Sequence, residues 1–127
     1  MKVRISHVGL LIGSLTLSAS VTLADEALEK GKTIYNGAGA CAGCHGPLGA
    51  GDGPAGAALN PKPRSFVSGD FAIDTDKDGK KGTETDIFNV VSNGAATYGG
   101  SPLMVGRADI PEADRKAVAK YVLSLKK

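Results

Sequence analysis

Cys41-Ala42-Gly43-Cys44-His45 is the stretch on which the reading of this 127-residue chain turns. C-x-x-C-H is the attachment pattern of c-type haem, and the chemistry accounts for the spacing. Two thiols three positions apart on a tight turn can each add across one vinyl group of the same porphyrin, forming two thioethers. The imidazole of His45 is then held under the iron as a proximal ligand. Such tethering secures the ring even in a small protein that cannot bury all of it. Other uses of the motif fit less well. Cys41 and Cys44 are the only cysteines, which excludes a four-thiolate iron–sulfur cluster within one chain. A structural zinc site also wants about four ligands, and the one further histidine, His7, lies in a leader-like segment. A thioredoxin-like dithiol belongs beside a βαβ pattern, and no run of parallel-strand character flanks the motif. A structural disulfide or a chance match is the remaining alternative, and the context weighs against it.

That context begins at the N-terminus. Lys2 and Arg4 form a short basic region, and the 16 residues Val8–Leu23 carry no charge. Thr22-Leu23-Ala24 puts small residues at the two positions a signal peptidase inspects, so a cut before Asp25 is expected. The apolar run is shorter than the ~20 residues of a spanning helix and is diluted by Gly, Ser and Thr. Without a cysteine near the cut, lipid attachment there has no support. Residues 1–24 therefore read as a cleaved signal peptide and 25–127 as one small domain. Export agrees with the motif, because covalent haem attachment of this kind occurs outside the cytoplasm; a bacterial periplasm is the simplest address. The leader holds two basic and no acidic residues, which leaves 25–127 with thirteen of each sign. The sequence pI of 8.6 thus owes much to the leader and gives no support to nucleic-acid binding.

Three helical segments are expected beyond the leader. The first, about Asp25 to Tyr35, has acids in its opening turn and an apolar stripe of Ala27, Leu28, Gly31, Ile34 and Tyr35. The second, about Thr83 to Val91, starts at a Thr83 cap with Asp86 three residues on. Ile87, Val90 and Val91 form its inner face, and Asn93-Gly94 supplies a left-handed stop. The third, about Pro111 to Leu125, points Ala117, Val118, Tyr121, Val122 and Leu125 inward, with Lys126 and Lys127 at its negative end. Gly- and Pro-rich segments lie between them, and no internal repeat is visible.

In this order around the motif, the segments resemble the class I cytochrome c family from Ala27 to Leu125. Gly31 and Tyr35 match the small residue and aromatic of that family's first helix, and Tyr121 matches the aromatic partner in its last. The resemblance implies an all-α small cytochrome c fold of three to four helices around one covalent haem c. It also implies a sixth iron ligand. Met104, the one methionine outside the leader, lies 59 residues after His45 in a loop matching the family's methionine loop. Val105 follows it where many relatives carry proline. The stretch Gly46–Pro54 looks like the loop under the haem, which makes the Pro54 carbonyl the implied acceptor for the second N–H of His45. Arg64, in Asn60-Pro61-Lys62-Pro63-Arg64-Ser65-Phe66, suits a haem propionate or plain solvent. Tyr98 is placed to hydrogen-bond near the haem edge or to cover it.

Asp74-Thr75-Asp76-Lys77-Asp78-Gly79 has the alternating acids of a calcium loop. Its twelfth position is Thr85 rather than a bidentate Glu, so it reads better as an acidic surface turn. The expected function is single-electron transfer between periplasmic redox proteins (a dehydrogenase, an oxidase or another cytochrome), with His45/Met104 ligation and no catalytic residue. The expected molecule is a monomer or weakly associating, with no nucleic-acid partner and no membrane span after processing. A dedicated haem subunit of a dehydrogenase or terminal oxidase complex is the alternative. Ligand-binding or peroxide chemistry would need a distal acid/base group, and no second histidine survives processing.

Overall fold

A computed structural model describes residues 21–127 of the chain. Most of the expected leader, including Lys2, Arg4 and His7, lies outside the described residues. Helix α1 spans Leu23–Asn36, two residues earlier than the sequence pattern suggested. The reason is a capping box: the Thr22 hydroxyl accepts from the Asp25 N–H at 3.3 Å, and the Asp25 carboxylate accepts from the Thr22 N–H at 3.4 Å. The haem motif is itself a short helix, α2, Cys41–His45, where the sequence had suggested a tight turn. Helix α3 covers Glu84–Asn93 and α4 covers Glu112–Ser124. Single 3₁₀ turns lie at Pro54–Gly56 and Ala96–Tyr98, and no strand occurs among the described residues. The fold is all-helical.

Helices α1 and α4 cross, and α3 packs against α4. The crossing is set at Gly31, where a Cβ would overlap the carbonyl oxygen of Ala117 and lie 2.8 Å from the Cβ of Tyr121. Glycine there lets two backbones touch. One turn on, the rings of Tyr35 and Tyr121 meet edge to face, with centroids 5.3 Å apart. Ile34, Ile87, Val91, Ile110, Val118, Ala119 and Val122 complete the core. Of the expected inner face of α1, Ala27 and Leu28 stay half-buried, while Gly31, Ile34 and Tyr35 are buried. This core occupies one side of α1, α3 and α4. The same inner faces of α3 and α4, through Ile87, Val91, Val118 and Val122, together with the long loops, also line a cavity.

The Thr83 cap of α3 is present as expected, but its Asp86 partner does more than cap. Asp86 is 1% exposed. Its carboxylate accepts from the N–H and hydroxyl of Thr83 and from the N–H and hydroxyl of Thr75, at 2.6 to 2.9 Å. Burial pushes its pKa up, but these hydrogen bonds together outweigh that effect and hold the carboxyl below the usual carboxylate range. The acidic turn is thereby fastened to α3 through Thr75. Within that turn the Asp74, Asp76 and Asp78 carboxylates lie within 4.8 Å of one another. They accept from the N–H groups of Asp78, Gly79 and Lys80, as an acidic surface turn does.

Candidate haem site

The cavity has a volume of about 710 Å³ and is walled by α2, the return loop after it, α3 and the loop before α4. Cys41, Cys44 and His45 line it from one element and Met104 from another. The remaining walls are mainly apolar, with Phe66, Phe71, Ile87, Val91 and Val118 among them. This is the character of a site for a large, largely apolar cofactor. Both cysteines are free thiols and half-buried. Burial pushes the Cys41 thiol pKa up, against an opposing pull from the Arg107 cation, so the group stays a neutral thiol.

His45 is held by two contacts, and the residue after it by a third. Its Nδ1–H donates to the carbonyl oxygen of Arg64 at 2.9 Å, which fixes the tautomer and leaves Nε2 bare for a metal. Burial lowers the imidazole pKa, partly offset by that hydrogen bond, so the ring is neutral as a ligand must be. The Phe66 ring stacks on it, with centroids 4.4 Å apart. Directly after the motif, the Gly46 carbonyl accepts from the hydroxyl of fully buried Tyr35 at 2.7 Å. Burial, then the nearby Cys41, Tyr121 and Asp52, all push the Tyr35 phenol well above its ordinary pKa, so it remains a donor. Replacing Tyr35 by Phe leaves that carbonyl unpaired. The expected loss is about 1–2 kcal/mol, read as a fall in Tm of roughly 4–10 °C in thermal unfolding. An unchanged Tm would mean the bond contributes nothing net.

The acceptor for His45 corrects the expectation of Pro54. Pro54 is exposed and opens the 3₁₀ turn packed behind the motif, where the Gly53 N–H donates to the Cys44 carbonyl at 3.1 Å. The chain then returns over the motif. Gly51 N–H bonds the His45 carbonyl at 2.8 Å and Phe66 N–H bonds the Gly49 carbonyl at 2.6 Å. That return carries the Arg64 carbonyl, rather than the Pro54 carbonyl, to the imidazole.

The guanidinium of Arg64 is exposed on the cavity rim and bonds the carbonyl of Asp70. Tyr98 also lines the cavity, and its hydroxyl accepts from the Asn93 amide at 2.7 Å, which leaves its own O–H to donate.

The methionine loop is fixed by backbone. Ala95 N–H donates to the Met104 carbonyl at 3.0 Å. Gly94, at φ 83°, ends α3 and allows the loop to return against it; a Cβ there would sit 2.9 Å from the Gly106 nitrogen.

The Cytochrome c family model matches residues 28–126. The chain belongs to the cytochrome c family. Membership brings a covalently bound haem c, and the thiol pair, adjacent imidazole and apolar cavity described above fit that group. Among solved structures, this cytochrome is similar to a chain of the Kuenenia stuttgartiensis reducing HAO-like protein complex Kustc0457/Kustc0458. The two share 27% identity at a TM-score of 0.63 over 98% of this chain. The match spans 52% of that other chain, so this cytochrome corresponds to about half of it. No curated protein matches the sequence.

Three residues of the site escaped the sequence reading. Phe66 was read only as part of an extended segment, and nothing local announces that it stacks on a histidine 21 positions away. Asp86 was legible as a cap, though not as a buried wall of the cavity. Arg107 carried no signal beyond a nearby aspartate. Its guanidinium nonetheless bonds the Gly39 carbonyl at 2.6 Å and the Ala38 carbonyl at 3.0 Å, just before Cys41.

Proposed function

We propose that this chain is a periplasmic mono-haem cytochrome c that passes single electrons between redox proteins. In this reading Cys41 and Cys44 tether the haem and His45 and Met104 are its axial ligands. The observation that carries it is that both thiols, the imidazole and the lone thioether of the described residues line one cavity. Haem bound there supplies a one-electron ferric/ferrous couple. The protein's part would be to hold the imidazole from α2 and the thioether from the methionine loop in place, so that a change in iron charge would bring little change in geometry. Phe66, Phe71 and Val118 exclude water from the cavity, and Arg64 on its rim pairs with a propionate. Residues 1–24 are the export signal. A cut before Asp25 removes the Thr22 cap of α1 and leaves Asp25 and Glu26 at the positive end of the helix dipole.

Leu103 and Val105 flank Met104 and are 49% and 64% exposed. Exposed apolar residues beside the cavity suit a small, short-lived contact with a redox partner. A carbon monoxide difference spectrum of the reduced, periplasmically matured protein tests the reading. Wild type is expected to show no change, and Met104→Ala a clear carbon monoxide spectrum. A wild type that binds carbon monoxide as the variant does would overturn Met104 ligation.

A second reading, a dedicated haem subunit of a larger redox complex, is favoured by the similarity to a chain of a HAO-like complex. Co-purification of the untagged native protein with a second redox protein at fixed stoichiometry would select it. Elution as a free monomer would select the carrier.

A further inference from the structure

We propose that Arg107 is a positioning residue that holds Met104 within reach of the iron by tying the methionine loop to the thioether motif. The proposal rests on Met104 being the sixth ligand.

The two ligand-bearing segments come from distant parts of the sequence. Arg107 follows Met104 by three residues, and its own backbone is fixed, with its N–H donating to the Val91 carbonyl at the end of α3 at 2.7 Å. From there the side chain crosses to the loop entering α2. Nη1 donates to the Gly39 carbonyl at 2.6 Å and Nη2 to the Ala38 carbonyl at 3.0 Å. Gly39 is two residues before Cys41, and Ala40, between them, sits in the left-handed region at φ 53°. Among the described residues, these two are the only hydrogen bonds joining residues 37–46 to residues 94–110. The guanidinium is also gripped by Asp109, whose two oxygens accept from Nε and Nη2 at 2.9 Å each. This side chain, 27% exposed, is therefore aimed rather than free. A planar fork is the group that can satisfy two successive carbonyls and a carboxylate at once.

Without the fork, the separation between His45 and Met104 is set only indirectly, through α1, α3 and α4. A ligand bond from a loop is sensitive to such slack, because even a small population of loop-open states exposes the sixth position. The role of Asp109 follows: its carboxylate orients the guanidinium while making no hydrogen bond to the loop before the motif.

The test is the rate at which carbon monoxide binds the reduced holoprotein, in wild type, Arg107→Ala, Arg107→Lys, Met104→Ala and Ile34→Ala. The last truncates the core away from the cavity and controls for lost stability alone. Arg107→Ala is expected to bind carbon monoxide about tenfold faster than wild type. Arg107→Lys, which can keep one carbonyl bond, is expected near threefold, roughly midway on a logarithmic scale. Ile34→Ala should lose comparable thermal stability yet stay close to the wild-type rate.

If Arg107→Ala does not take up haem, Arg107→Lys carries the comparison. Wild-type rates in the Arg107 variants, with Met104→Ala fast, overturn the positioning role and leave Met104 ligation standing. Equal acceleration in Ile34→Ala also overturns it, since the effect is then general loosening. A wild type already as fast as Met104→Ala removes the methionine ligation itself and the proposal with it.

Discussion

Gly31→Val is expected to abolish stable folding, and Gly31→Ala to lower Tm by at least about 15 °C. In most helices a Gly-to-Ala change gains roughly 0.5–1 kcal/mol from helix propensity. Here the added carbon has nowhere to go. It would overlap the Ala117 carbonyl oxygen and come within 2.8 Å of the Tyr121 Cβ, so the obstruction is largely backbone and cannot rotate away. Relief requires α1 and α4 to separate, which also pulls apart the Tyr35–Tyr121 pair and the hydroxyl bond from Tyr35 to Gly46 beside the haem motif. A loss above about 4 kcal/mol follows, a large share of a small domain's stability. Gly43→Ala is the matched control. It also lies in a helix, and no atom lies within 4 Å of where its Cβ would be. Thermal unfolding of the two alanine variants side by side checks the argument. Equal Tm values would show that the helices slide apart at little cost.

That crossing was legible in advance, because Gly31, Tyr35 and Tyr121 carry their meaning in residue type and helical spacing. The same holds for α3, where Thr83 and Asp86 mark the start and Gly94 the end. That Cys41, Cys44, His45 and Met104 would share one cavity was legible because few side chains can bind a haem and this sequence contains so few of them. What stayed hidden is of a different kind. The partner of His45 is a backbone carbonyl, and every residue has one; only the path of the return loop decides between Pro54 and Arg64. Arg107 acts on two further carbonyls 68 and 69 positions away, a distance over which no local pattern speaks. The start of α1 at Leu23 rests on a Thr22 cap, a residue that the sequence reading gave to the cleavage site.

Asp86 shows the same division between a legible residue and an illegible role, and it yields the second large effect. Asp86→Ala is expected to cost about 3 kcal/mol, a fall in Tm of roughly 12–20 °C. The capping box accounts for about 1 kcal/mol of that. The rest comes from the Thr75 N–H and hydroxyl, left without that acceptor in a half-buried site. The loss should depend on pH. Because the folded-state pKa lies below the ordinary value of 3.8, the carboxylate's contribution is fully present above that value. It declines as pH falls through 3.8 toward the lower folded-state pKa, where the folded protein too takes up the proton. The Tm curves of wild type and Asp86→Ala should therefore run well apart at neutral pH and converge in acid. Asp86→Asn keeps the shape but turns an N–H₂ toward a backbone N–H and a threonine hydroxyl that both donate to the carboxylate in the wild type, so it should behave nearly as badly at neutral pH. A gap between wild type and the variants that stays constant from neutral pH into strong acid would mean that packing, and not the charge, carries the contribution. Convergence would assign to this one buried carboxylate the tie between α3 and the acidic turn, and with it much of the stability lost in acid.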